Sequence, residues 1–222
     1  SHIRSLAKKR EALSRQNLKV KVLEPMFSEE TVCARFRFLQ GETLAEQLAK
    51  RIQAGEPVAA VLEEGLGISP GQPDKAFVPT NEFRRVFGEA PKIDDQSFSV
   101  SNVDGLFENL MITQDGTWVM DYEWVFAFPV PFGYLKYRIL YYFYERFKSS
   151  FGWQDLYAFF GLFGMDEDLC KQYGAMEENF QTFVHGNSSQ GYLRRYQQPV
   201  ETVDTLLSKE IVLEDLQDKH KG

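Results

Sequence analysis

The sequence predicts an α+β fold in which a small strand-bearing part comes first and a larger, mainly helical part follows. Apolar and polar residues alternate over 19–23 and 31–39, the period-2 pattern of half-buried strands. From residue 135 onward apolar side chains dominate at helical spacing. Between these parts, Leu110–Thr113 and Trp118–Met120 flank Gln114-Asp115-Gly116-Thr117, and Asp-Gly between two β-prone runs signals a tight hairpin.

Residues 4–16, RSLAKKREALSRQ, are good helix formers with Leu6 and Leu13 at helical spacing, and Asn17 is a stop signal, so a short, mostly solvated helix is expected. Val20 and Val22 alternate with lysines in KVKVL, while Val32, Ala34, Phe36 and Phe38 share one face of TVCARFRFL. These two strands are expected to form a hairpin with each other. Gln40-Gly41-Glu42-Thr43 breaks the second strand, Thr43 and Glu46 read as a capping box, and Leu44, Leu48 and Ile52 carry a helix to Gly55. Helical structure is expected to resume over 57–62. Gly65, Gly67, Pro70, Gly71, Pro73 and Pro79 then predict an irregular surface insertion. FRRVFG at 83–88 reads as a short apolar patch. LKYRILYYFYERFK at 135–148 is apolar nearly all round and predicts a buried helix, with further helices over 153–163, 167–184 and 200–219.

A chain of 222 residues suffices for one large domain or for two lobes around a cleft. Many of the 19 Phe and 10 Tyr fall between 122 and 163, which places much of the core there. No uncharged apolar run approaches the ~20 residues that a membrane helix needs, and the polar, basic N-terminus does not read as a secretory leader. A net charge of −7, with basic residues scattered apart from Lys8-Lys9-Arg10, argues against nucleic acid as a partner. Cys33 and Cys170 stand far apart with no CxxC, so neither a disulfide framework nor a zinc site is indicated, and a reducing, cytoplasmic setting is expected.

The stretch VDGLFENLMITQDGTWVMDYEW, residues 103–124, concentrates the chemistry. A hairpin returns its end to the level of its beginning, so Asn109 at the entrance and Asp121 at the exit are expected side by side, with Asp104 one loop away. Carboxylates and an amide carbonyl are hard oxygen donors, suited to Mg²⁺ that also holds nucleotide phosphates. A carboxylate kept off the metal can orient a hydroxyl nucleophile.

Asp104, four residues, Asn109, a hairpin and then Asp121 resembles the catalytic loop and metal-binding aspartate of the protein-kinase-like superfamily. Asp121-Tyr122-Glu123-Trp124 is closer to the Asp-Trp-Glu of the aminoglycoside and choline kinase branch than to the Asp-Phe-Gly of protein kinases. The resemblance implies ATP and Mg²⁺, with Asp104 acting on an acceptor hydroxyl and Asn109 and Asp121 on the metal. It further implies that Phe38, Leu39, Gln40 and Met111 meet the nucleotide. Residues 1–55 would be a truncated N-lobe ending in the hinge and its helix, and 56–222 a helical C-lobe. The acceptor would be a small molecule or a glycan. ENL and DYEWVF in these places also resemble kinase-like domains attached to methyltransferases or glycosyltransferases of bacterial surface-polysaccharide synthesis.

Two departures stand out. The family usually carries His two residues before the catalytic Asp, where this chain has Asn102, so the packing of the loop is expected to differ. The Gly-rich strand pair and the strand lysine that grip ATP are expected ahead of the first helix, where this sequence has only three residues before Arg4. Glu11 is a candidate for the helix glutamate that such a lysine would pair. Either further domains of a longer native chain supply the grip, or the module is a catalytically idle pseudokinase that serves as a binding unit. Gly67-Ile68-Ser69-Pro70-Gly71 matches the G-x-S-x-G of serine hydrolases in letters, but lacks the strand before and the helix after that a nucleophile elbow requires. Tyr134 and Lys136, near the motif, are candidates to line an acceptor pocket.

Overall fold

Thr43 Oγ1 accepts the Glu46 N–H at 3.2 Å and Glu46 Oε2 accepts the Thr43 N–H at 3.2 Å, the capping box read from the sequence. Such a cap contributes about 1 kcal/mol to helix stability, and here it opens α2, Leu44–Gln53, whose Leu44, Leu48 and Ile52 are buried. The computed structural model of the chain describes residues 2–14, 19–28 and 33–186. Ser1–Phe180 forms one compact unit and Gln181–Gly222 a second, which is described only as far as Gly186. The helix expected over 200–219 lies outside the described residues.

The fold is α+β, with seven α-helices and small sheets among the described residues. Helix α1, His2–Ser14, buries Leu13, and is followed by β1, Lys21–Val22, β2, Pro25–Ser28, and β3, Cys33–Phe36. The expected hairpin between 19–23 and 31–39 is not formed. β2 takes that place, pairing antiparallel with β3 from Pro25↔Phe36 to Ser28↔Cys33. β1 instead runs parallel to β9, Gly116–Val119, in the register Lys21↔Trp118 and Val22↔Val119. The reason lies in burial: beside Val119 the alternating Val22 is removed from water, while Pro25–Ser28 reaches the second strand through a shorter connection.

The Asp-Gly hairpin forms as expected, with β8, Leu110–Thr113, against β9 and Gln114-Asp115 at its tip. β4, Glu42–Thr43, pairs with β8, so the sheet order is β1-β9-β8-β4 and both edges of the hairpin are covered. α3 spans Val58–Leu66, running through Gly65 beyond the expected helical stretch. The following segment carries β5, Lys75–Ala76, and is only partly the surface insertion anticipated, because Ser69 is buried. FRRVFG belongs to a helix, α4, Asn81–Phe87, capped by Thr80.

Further on, β6, Gln96–Ser97, pairs with β5, and β7, Ser101–Asn102, pairs with β10, Val125–Phe126. Helix α5, Phe132–Phe151, contains the predicted buried stretch, and α6, Leu156–Gly161, and α7, Glu167–His185, complete the described chain. Phe87 is the centre of the core: its ring meets those of Phe83, Phe126, Phe128, Tyr134 and Phe180 at centroid distances of 5.3 to 6.5 Å. Among the described residues no helix is long and apolar enough to cross a membrane.

Candidate functional site

The loop that carries Asp104 is held on every side. Pairing of β7 with β10 in the register Val125↔Asn102 brings Trp124 alongside it. Val103 N–H donates to Trp124 O at 3.0 Å, and Trp124 N–H donates to Asp104 Oδ2 at 2.5 Å. Asn102 uses its Oδ1 to accept the Asp104 N–H at 3.1 Å, a side-chain turn that fixes the loop. Asp104 O accepts Leu106 N–H at 2.7 Å and Asn109 Nδ2 at 2.9 Å. Ser69 Oγ donates to Gly105 O at 2.6 Å, and a Cβ on residue 105 would come within 2.8 Å of that oxygen. The G-x-S-x-G serine is therefore a buried strut behind Asp104, not a nucleophile.

Asn109 closes a short 3-10 turn, Phe107–Asn109, and its carbonyl accepts the Met120 N–H at 2.9 Å. The hairpin thus ends level with its start, and Asp121 follows directly as an exposed carboxylate, its Oδ1 accepting the Glu123 N–H at 3.1 Å. The Nδ2 of Asn109 is spent on Asp104, which leaves the amide oxygen as its remaining acceptor.

Burial pushes the Asp104 carboxyl up to about 6; the Trp124 N–H opposes this, and the nearby Asp121 charge adds to it. Asp104 keeps only 7% of its surface exposed. Beneath the loop, Arg138 Nε donates to Val103 O at 3.1 Å while its Nη1 pairs with Glu177. Tyr134 Oη at 2.7 Å and Tyr142 Oη at 3.0 Å also donate to Glu177. Burial works against the Arg138 charge, but Glu177 and the two tyrosines more than offset it and hold its pKa above the ordinary arginine value. The candidate acceptor residue Tyr134 is thus fully buried in this network, and Lys136 faces Glu63 at 3.8 Å. Neither lines a pocket over Asp104.

The residues expected to meet a nucleotide divide. Gly41 crosses β8 so closely that a Cβ there would lie 2.1 Å from Ile112 O and 3.3 Å from Met111 Sδ, which puts the half-buried Met111 beside the hinge. Leu39 is half-buried and Gln40 exposed, while Phe38 projects into solvent with 89% of its surface exposed. A broad concavity of about 770 Å³ begins at Gly41 and Glu42 and continues along α2 to Phe147 and Phe151, away from Asp104.

A carboxylate and an amide oxygen are hard donors of the kind that Mg²⁺ takes. Among the described residues no three His, Cys, Asp or Glu side chains converge. Mg²⁺ held with phosphates asks for only one or two carboxylates, the rest of its octahedron being phosphate and water; Asp121 and the Asn109 amide oxygen are the residues that would supply such donors. Sequence reasoning passed over Asn102, Trp124, Ser69 and Arg138 as holders of the loop. The legible signal was Arg138, set between the apolar Leu135, Tyr137, Ile139 and Leu140 of the helix, since a buried charge requires a partner. Searches of protein-family models, of curated proteins and of solved structures return no match to this chain.

Proposed function

We propose that this chain is a kinase-like phosphotransferase domain that moves the γ-phosphate of ATP to a hydroxyl of a small molecule or glycan. The observation that carries this reading is the hydrogen-bonded unit of Asp104 and Asn109 with Asp121 one residue past the closing bond of the hairpin. Asp104 orients the acceptor hydroxyl and takes its proton as the oxygen bonds to the γ-phosphorus and the bond to the departing ADP breaks. Asn109 and Asp121 would hold Mg²⁺, which would supply positive charge to the phosphate oxygens. With a carboxyl that titrates at about 6, Asp104 is ionised and competent as a base at neutral pH. The acceptor, by the sequence resemblance, belongs to bacterial surface-polysaccharide assembly, and ATP use fits a cytoplasmic setting.

Calorimetric titration with Mg²⁺ and a non-hydrolysable ATP analogue tests the reading. Binding is expected to require Mg²⁺ and to fall at least tenfold in Asp121→Ala. Metal-independent binding, or an Asp121→Ala protein that binds as well as the parent, would sink it.

The exposure of Phe38, Met26, Phe27 and Phe36 favours a second reading, a kinase-like binding module whose β2–β3 ribbon docks on a partner domain. Silence toward nucleotide together with intact partner binding would select it.

A further inference from the structure

The basic run Lys8-Lys9-Arg10 is divided among three environments. Lys8 is exposed, and Arg10 pairs with Glu24 at 2.9 Å. Lys9 lies one helical turn from the buried Leu13 and therefore faces the body of the domain. Its ammonium donates to Glu123 O and sits 5.6 Å from the centre of the Trp124 ring. Lys9 thus reaches the segment that joins Asp121 to Asp104: Glu123 N–H is held by Asp121, and Trp124 N–H by Asp104.

An ammonium has three donors, and one is spent on the Glu123 carbonyl. Among the described residues no carboxylate forms an ion pair with Lys9, although it is half-buried. A cation partly withdrawn from water without an anion is a favourable place for one to bind. Asp121, two residues before the carbonyl that Lys9 holds, would repel a polyphosphate, and a cation on the same segment offsets that charge.

We propose that Lys9 is a nucleotide-phosphate ligand, supplying from α1 a positive charge to the phosphates held over Asn109 and Asp121. The assignment rests on the phosphotransferase reading. Lysine suits the task because it binds phosphate as a compact point charge on a flexible stem.

Titration of the chain with Mg²⁺ and AMP-PNP, with adenosine as the phosphate-free control, tests it. Lys9→Met is expected to weaken AMP-PNP roughly tenfold or more and to leave adenosine binding unchanged, with Lys9→Arg in between. On the unaltered chain, Mg²⁺ and AMP-PNP should slow chemical acetylation of Lys9 and leave Lys8 unaffected, a readout that holds even if a variant folds poorly. If the parent chain binds no AMP-PNP, the phosphotransferase reading fails and the assignment fails with it. If the parent binds and Lys9→Met binds equally well, or Lys9 acetylates at an unchanged rate, only the Lys9 assignment is overturned. Equal loss of adenosine would reduce Lys9 to a tie between α1 and Glu123, which also overturns it.

Discussion

The β2–β3 pair and the 101–110 loop are both short stretches with few backbone ladder bonds of their own, yet they are stabilised in opposite ways. The loop has Val103, Leu106 and Phe107 buried, and its polar groups are satisfied by Asn102, Ser69, Trp124 and Arg138. The strand pair leaves Met26, Phe27 and Phe36 exposed, and Phe38 just beyond it. A two-stranded ribbon of this kind is marginal in water without further cover. Support among the described residues is therefore concentrated behind Asp104, and the β2–β3 side is thinly held.

The largest effect should come from Arg138→Ala. Removing the cation leaves Glu177 buried without its charge partner and Val103 O without its donor, and breaking a buried pair costs about 3–5 kcal/mol. Urea denaturation should show that loss; a cost near zero would mean that the loop is not anchored from below.

Asp104→Asn tests the same loop in the other direction. The folded-state pKa of Asp104 lies above the ordinary aspartate value, so its contribution to stability is fully present below the unfolded pKa near 4 and is lost as pH rises through about 6. The asparagine cannot ionise and can still accept the Trp124 N–H. Measured without added metal at pH 7.5, the variant should be more stable than the parent by about 1–3 kcal/mol, with the difference vanishing near pH 4. Equal melting curves across that range would remove the conclusion that burial holds the carboxyl up.

The smallest effect belongs to the other region. Phe38→Ser should change stability by no more than about 0.5 kcal/mol, because its ring is already in water. A larger loss would show that the β2–β3 side is supported by contacts of its own, and the contrast between the two regions would collapse.

Features encoded over a few residues were readable in advance. The capping box needs only Thr43 and Glu46, and the hairpin only the Asp-Gly between apolar runs. Asn109 and Asp121 come level because a hairpin is a local structure. What escaped was pairing between distant segments: the parallel match of β1 with β9 depends on a partner far along the chain, and Arg138 with Glu177 joins two helices whose sequences do not announce each other. Ser69 was misjudged because prolines and glycines report irregular backbone, and irregular backbone is not always exposed. Phe38 shows the converse, since its place in an alternating pattern with Phe36 promised burial that the fold does not provide.

The sheet order β1-β9-β8-β4 carries a consequence for how the chain folds. The β8–β9 hairpin is local and inexpensive in entropy to close, but its flanking strands come from residues 21–22 and 42–43. Each outer pairing requires long-range loop closure before its few hydrogen bonds are gained, which slows the search for the native topology. Asn109 and Asp121 should therefore approach each other early, in a bare ribbon, and reach their final alignment only when the two outer strands dock.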